Sequence, residues 1–448
     1  MALRLKAFLL LLSFFTLKVQ AQSSWSLEEC VAYAMVHNLE VKDFEYVSQS
    51  GKENYRQSIR NLLPRIDAST GYNINYGRST DPFTNDVVTN EFFSNGYSLS
   101  SSIDLFQGFL KMNAIKTSRF IYEANLQKTL QQKYLLAFRV MGAFYDVRFY
   151  EELVEVAKGQ TEVSQANYNL VKRQIELGLK AGADLYESES LLLSDKLNLT
   201  QSENKLELAK LQLMQEMNLE DRDNFYVARK KQEDGFQKIF QAIHTDSIYQ
   251  QAESFLPLLK AQEFRVNAAR KQIDVNRAYL YPSLSLYANI GTGYFQTTRD
   301  TLGNTIEFRN QIRDNTYRAV GLSLNIPISR GWSTRSRIKQ SKIDLLKVEN
   351  NFEIQKQTVY NDIQQLVVEN KALQNEYAQS LQKVKAQELT FLIAQRRYEK
   401  GLISILELTS AKNLFSAAQN ENLEVGLRLE VNNSTIDFYR GVSLFNIQ

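Results

Sequence analysis

This sequence is short of several things. It has one cysteine, two histidines and five prolines in 448 residues, and past residue 21 no stretch approaches 18 apolar residues. Each shortage excludes something. A single cysteine, Cys30, rules out an intrachain disulfide and any cysteine-based metal cluster. His37 and His244 are far apart in sequence and lack partners at metal-ligand spacing. No GxSxG, HExxH, CxxC or P-loop is present, and Gly291-Thr-Gly293 is only a fragment of a nucleotide-binding glycine pattern. The composition therefore argues against an enzyme, and no cofactor or metal is expected. Without a long apolar run there is no membrane-spanning helix, so any crossing of a bilayer would fall to strands. Scarce proline, by contrast, permits long uninterrupted helices.

Charge of either sign is not in excess: Lys and Arg total 53, Asp and Glu 50. The excess disappears once residues 1–21 are set aside. That segment reads as a secretory signal, with Arg4 and Lys6 at its start, an apolar run from Ala7 to Leu17, and Val19-Gln-Ala21 as the small-residue cleavage site. A balanced chain carries no electrostatic case for nucleic acid.

What is present is a duplication. Val171-Lys-Arg-Gln-Ile-Glu-Leu-Gly178-Leu-Lys-Ala-Gly-Ala-Asp-Leu185 returns as Ala394-Gln-Arg-Arg-Tyr-Glu-Lys-Gly401-Leu-Ile-Ser-Ile-Leu-Glu-Leu408. In register, Arg173 meets Arg396, Gly178 meets Gly401, Leu179 meets Leu402 and Asp184 meets Glu407. A glycine that can take a left-handed cap ends one helix, and an acid six positions on falls in the first turn of the next. The spacing predicts a helical hairpin, made twice, each with a sharp tip. The duplication extends further: Leu63-Pro64 answers Tyr281-Pro282, and Gly108 answers Gly331. The expected layout is a signal at 1–21, a first repeat at 22–220, a charged linker at 221–243 and a second repeat at 244–448.

Within each repeat the hydrophobic period changes. Residues 25–62 and 246–280 read as helices. After Pro64, Ile66, Ala68, Thr70, Tyr72 and Ile74 alternate with polar residues, and the same period of two recurs over 96–106, 282–296 and 316–329. Their second faces are Ser, Asn and Gly rather than Lys and Glu, which suits a crowded lumen better than open solvent. A soluble four-stranded sheet with one face on a core is the alternative. If the four strands cross a membrane they cannot close alone, because about eight is the smallest barrel that encloses packed side chains. Chains must then pool strands, and three chains, giving twelve, leave room for a lumen. The proline-free runs from about 111 to 177 and 334 to 400 would each extend about 100 Å as helices. Val359, Leu366 and Leu373 recur every seven residues in the second, a coiled-coil seam with Asn370 as a polar break. The return helices span about 184–218 and 407–440.

Taken together, Trp25-Ser-Leu-Glu-Glu-Cys-Val-Ala-Tyr-Ala, Leu62-Leu-Pro-Arg-Ile, Leu105-Phe-Gln-Gly108, Ala278-Tyr-Leu-Tyr-Pro-Ser-Leu, Ile326-Pro-Ile-Ser-Arg-Gly331 and the two Gly-Leu tips make the chain resemble the TolC-like outer-membrane efflux proteins. The resemblance covers essentially all of the chain after the signal. It implies a mostly α protein with a membrane β-barrel, built as two tandem repeats of two strands plus a long coiled-coil hairpin. Three copies would form a twelve-stranded barrel in outer-membrane lipid and an α-helical periplasmic tunnel. The implied role is a passive export duct in a Gram-negative outer membrane, docked to a periplasmic adaptor protein and an inner-membrane transporter. A conduit for peptides or proteins, and a soluble periplasmic coiled-coil scaffold, are the competing readings. In the family pattern a tyrosine and an arginine near the second glycine face an aspartate after the first and hold the tip shut. Tyr398 and Asp184 match. Ile403 stands at the arginine position, with Lys180 at the equivalent place in the first copy. Of the two acids ringing the entrance, Glu407 matches the first, while the second is Ser410. Gly178, Leu179, Gly401 and Leu402 are the expected adaptor-docking turns.

Overall fold

A computed structural model describes residues 24–80, 85–89, 91–220, 225–228 and 244–442. The expected signal at 1–21 and nearly all of the expected linker at 221–243 lie outside the described residues. In chain order the elements are α1 (Leu27–His37), α2 (Leu39–Arg60), β1 (Arg65–Asn75), β2 (Ser79–Thr80), β3 (Val87–Val88), β4 (Phe92–Gln107), α3 (Leu110–Glu176), α4 (Gly182–Met217), α5 (Thr245–Phe255), α6 (Pro257–Ala278), β5 (Ser283–Phe295), α7 (Phe308–Asp314), β6 (Tyr317–Asn325), α8 (Ser333–Glu399) and α9 (Ile405–Tyr439). No described helix is long and apolar enough to cross a membrane. The mostly helical chain with a few strands is the expected fold class.

Two helices expected to be single are each broken in two, for reasons present in the sequence. Asn38 adopts an extended ψ of 124° between α1 and α2. Its Oδ1 accepts from the N–H of Glu40 at 2.9 Å and of Val41 at 3.3 Å, so it ends one helix and caps the next. In the second repeat Pro257 opens α6, and Leu256 before it is held extended at ψ 120°. At the start of α1, Ser26 and Glu29 exchange hydrogen bonds in a capping box.

The chain divides into two compact units. One comprises Glu45–Lys128 and Pro257–Gln355. Its centre is an antiparallel sheet in the order β1-β4-β5-β6. Ala68 pairs with Leu99, Leu99 with Ile290, and Ile290 with Arg318, which fixes a common row across all four strands. Period-two alternation then puts Ile66, Leu99, Ile290 and Val320 on one face, and Ser69, Ser98 and Gly291 on the other. Ile66 is 68% and Val320 77% exposed in the isolated chain. Among the described residues neither β1 nor β6 has a strand on its outer edge. Gly291 and Gly321 lie opposite Tyr317 and Tyr287, and a Cβ at either would come within 2.6 Å of the tyrosine ring, so the glycines admit rings laid flat across the strands.

The other unit comprises the described parts of Met1–Phe44, Thr129–Leu256 and Lys356–Gln448. Its main core gathers Val31, Ala34 and Val41 with Leu136, Val140, Met141 and Val147 of α3 and Leu213 and Met217 of α4. A parallel bridge between Trp25 and Val227 ties in a short segment there. Cys30 is fully buried in this core, and burial pushes its thiol up to about 12, so it serves as a small apolar side chain. Of the expected seam, Val359 and Leu373 are buried and Leu366 is half-buried; Ile363 and Asn370 are buried beside them. The Asn370 amide donates to Asn432 Oδ1 at 2.8 Å and Asn433 Oδ1 at 2.6 Å, and its own oxygen accepts from Gln374 at 2.7 Å. This polar layer sets α8 and α9 in one register.

Candidate gate at the hairpin tips

Both tips close in the same way. Gly178 has φ +74° and Gly401 φ +72°. The N–H of Leu179 donates to Gln174 O at 2.8 Å and that of Leu402 to Arg397 O at 2.9 Å, while each glycine N–H reaches three residues back, at 2.9 and 2.8 Å. These are paired Schellman closures, which need a residue at ease with positive φ. They leave Leu179 and Leu402 exposed, together with Leu177 and Leu406.

The helices that follow start differently. Ser404 accepts from the Glu407 N–H at 3.3 Å, and the Glu407 carboxylate accepts from the Ser404 N–H at 3.4 Å, a full capping box. In the first copy Ala181 occupies the N-cap and has no side chain to offer the orphan N–H groups.

Tyr398 is 5% exposed and packs with Val171, Phe391, Ile405 and Leu408. Its hydroxyl is met by Lys180 Nζ at 3.2 Å, and the same ammonium lies 4.9 Å from the ring centroid. The first-copy tip thus places a cation on the second-copy tyrosine, by a charge-assisted hydrogen bond and a cation–π contact together. Of the four expected gate residues, the structure brings these two into contact. Asp184 is half-buried, and among the described residues its side chain has no hydrogen bond or ion pair. Glu407 is exposed and engaged in its capping box. Ile403 packs against the Tyr398 cluster, so at the arginine position the chain adds apolar packing instead of charge.

A second contact involves none of the expected gate residues. Lys412 is 3% exposed, and its Nζ reaches Ser164 Oγ at 2.8 Å and the Asp195 carboxylate. Ser164 also donates to that carboxylate, so α3, α4 and α9 meet at one ion pair with a buried lysine and a half-buried aspartate. A sequence signal existed: Leu408, Lys412 and Phe415 share core-facing spacing on α9, an odd place for a lysine unless it is paired. No described group of acidic, histidine or cysteine side chains could hold a metal ion.

Comparison with known proteins decides the family. The model of the outer membrane efflux protein family matches residues 33–219 and 248–441. The chain belongs to that family. The two matched stretches fall one in each copy of the duplication. Family membership makes it a protein of the Gram-negative outer membrane and of a channel class, not an enzyme class. Among curated relatives, the toluene efflux pump outer membrane protein TtgC of Pseudomonas putida is 19% identical over 93% of this chain and 82% of its own length. The outer membrane protein TolC of Vibrio cholerae is 22% identical over 80% of this chain and 78% of its own. Nodulation protein T of Rhizobium leguminosarum is 21% identical over 62% of this chain, and the chain spans 55% of that relative's length. The fold matches the Campylobacter jejuni CmeC outer membrane channel with a TM-score of 0.77 at 15% identity, over 94% of this chain and 87% of the other.

Proposed function

We propose that the protein is the outer-membrane duct of a three-part export system. It carries small molecules passively from a periplasmic adaptor and inner-membrane transporter to the exterior. The observation that carries this is the four-stranded sheet in a chain of the outer membrane efflux protein family: one face mainly apolar and exposed, the other mainly Ser, Asn and Gly with Tyr287 and Tyr317 across it, and, among the described residues, no strand on either edge. Lipid cannot satisfy an open edge, so β6 of one copy joins β1 of the next until the sheet closes. Three copies give twelve strands. The hairpins would continue the lumen as a periplasmic tunnel. Tyr398 and Lys180 would hold its entrance shut, with Asp184 free to face a neighbouring copy and Glu407 lending a ring of carboxylates that favours cations. Leu179 and Leu402, held outward by the two tip closures, are the surfaces the adaptor would read.

The test is the native mass of the full chain extracted in detergent, with bound detergent subtracted. Three chains are expected. A folded monomer that stays soluble without detergent would overturn the barrel and favour the scaffold reading.

A further inference from the structure

The duplication governs strand pairing as well as strand order. β1 returns 218 positions on as β5, with Pro64 answering Pro282, and β4 returns 223 positions on as β6, with Gly108 answering Gly331. Pairing inside the chain obeys these shifts. Arg65 pairs with Ser102 in the first hairpin, and their counterparts, Ser283 and Asn325, pair in the second. Between the hairpins, β4 of the first repeat pairs with β5 of the second. The same relation carried forward by one repeat lays β6 of one copy on β1 of the next, and it does so in one register.

In that register Tyr97 with Thr292 becomes Val320 with Ile74 of the next copy. Leu99 with Ile290 becomes Leu322 with its Tyr72, and Asn95 with Tyr294 becomes Arg318 with its Tyr76. Val320, Leu322, Tyr72, Ile74 and Tyr76 are all exposed in the single chain. Aliphatic and aromatic side chains opposite one another are favourable cross-strand neighbours. On the other face Gly321 would meet Asn73 and Ser323 would meet Gly71, small groups that do not collide.

Arg318 is the odd residue of this edge. It pairs with Ile290 and so lies on the apolar face. A cation on the lipid face of a membrane strand is costly unless it finds a partner. Arg318 is exposed, and among the described residues its side chain has no hydrogen bond, ion pair or ring contact. Slipping the seam by one residue would turn every side chain to the wrong face. Slipping it by two keeps the faces, but one direction brings Arg318 to Arg78 and the other brings it to Ile74. Only the register transferred from β4 and β5 gives it a tyrosine.

We infer that Arg318 is the register key of the seam between copies, its guanidinium lying on the Tyr76 ring of the next copy as a cation–π pair. The inference rests on the barrel reading and adds to it which residues meet across the seam and what rejects a slipped pairing.

The test uses the full chain with its one cysteine, Cys30, changed to Ala. Val320→Cys with Ile74→Cys, and Leu322→Cys with Tyr72→Cys, are in register. Val320→Cys with Tyr72→Cys, and Leu322→Cys with Ile74→Cys, sample the two slips. The positions of each pair lie on opposite edges of the four-stranded sheet, about 14 Å apart within one chain, so a disulfide joins separate chains. Tyr97→Cys with Thr292→Cys, paired inside the chain, is the positive control. After mild oxidation in outer membranes, the in-register pairs are expected to give several-fold more reductant-sensitive covalent oligomer than the slipped pairs. A slipped pair that joins as well or better overturns the register and leaves the barrel standing. No joining at any of the four pairs, with the control joined, sinks the barrel reading too. Adding Arg318→Leu should abolish the preference, and Arg318→Lys, which keeps the cation, should retain most of it. An unchanged preference with Arg318→Leu would show that Arg318 does not set the register.

Discussion

The two hairpin tips are near-copies in sequence, closed by the same glycine turn, yet they are capped and packed differently. The second follows its turn with a capping box, Ser404 with Glu407, and buries Tyr398 in an apolar cluster. The first follows its turn with Ala181, which caps nothing, and extends Lys180 onto that tyrosine. The two copies thus use their polar groups differently: one buries Tyr398, the other extends Lys180 to it. Higher along the hairpins the asymmetry continues. Asparagines lock α8 to α9, whereas Asp195 and Ser164 of the first hairpin depend on a lysine borrowed from the second. What differs between the copies is where polar groups were placed, and polar groups are what a packed helical wall uses to choose one register.

The comparison can be broken at several points, the strongest first. Lys412→Ala leaves the half-buried Asp195 carboxylate without its cation and should lower stability by about 2–4 kcal/mol, whereas Lys412→Met, which fills the space but removes the charge, still strands Asp195 and should fall short of rescue. Denaturant midpoints of the two variants and of a Lys412→Met, Asp195→Leu pair check this, the pair being expected to recover most of the loss. Asn370→Ala should lower stability by about 1–3 kcal/mol by leaving Asn432 and Asn433 without their shared donor. Asn370→Leu fills the space but strands the same two acceptors, so it should recover only part of that loss, and it should loosen the register, seen as altered disulfide trapping between cysteines placed across α8 and α9. At the tips, Ser404→Ala should cost about 1 kcal/mol of local helix stability. Ala181→Ser, three residues before Asp184, should gain a comparable amount and make the first tip as firm as the second. Amide exchange over the first turn of α4 and of α9 reads both.

Much of this was legible in the sequence because it rests on period and on glycine. The strands over 65–75 and 283–295 follow from strict alternation after a proline, and the tips from glycines 223 apart. The helix breaks at Asn38 and Pro257 are masked by an apolar period that continues through them, while the caps that end the helices are one-residue signals. The tip was legible as a location and less so as a contact. Tyr398 and Lys180 meet, Asp184 does not join them, and Glu407 is occupied with its own helix. Side-chain partners across four helices depend on how the hairpins lie together, which no spacing along one chain encodes. Lys412 was the readable exception, a charge at a core position.

The most direct test of the account is single-channel conductance of the purified protein in planar bilayers, before and after Lys180→Ala with Tyr398→Phe. A duct closed by Lys180 on Tyr398 predicts a small conductance for the parent chain and a several-fold larger one for the double variant, with the native mass unchanged. An identical conductance at unchanged mass would contradict a closure at this contact.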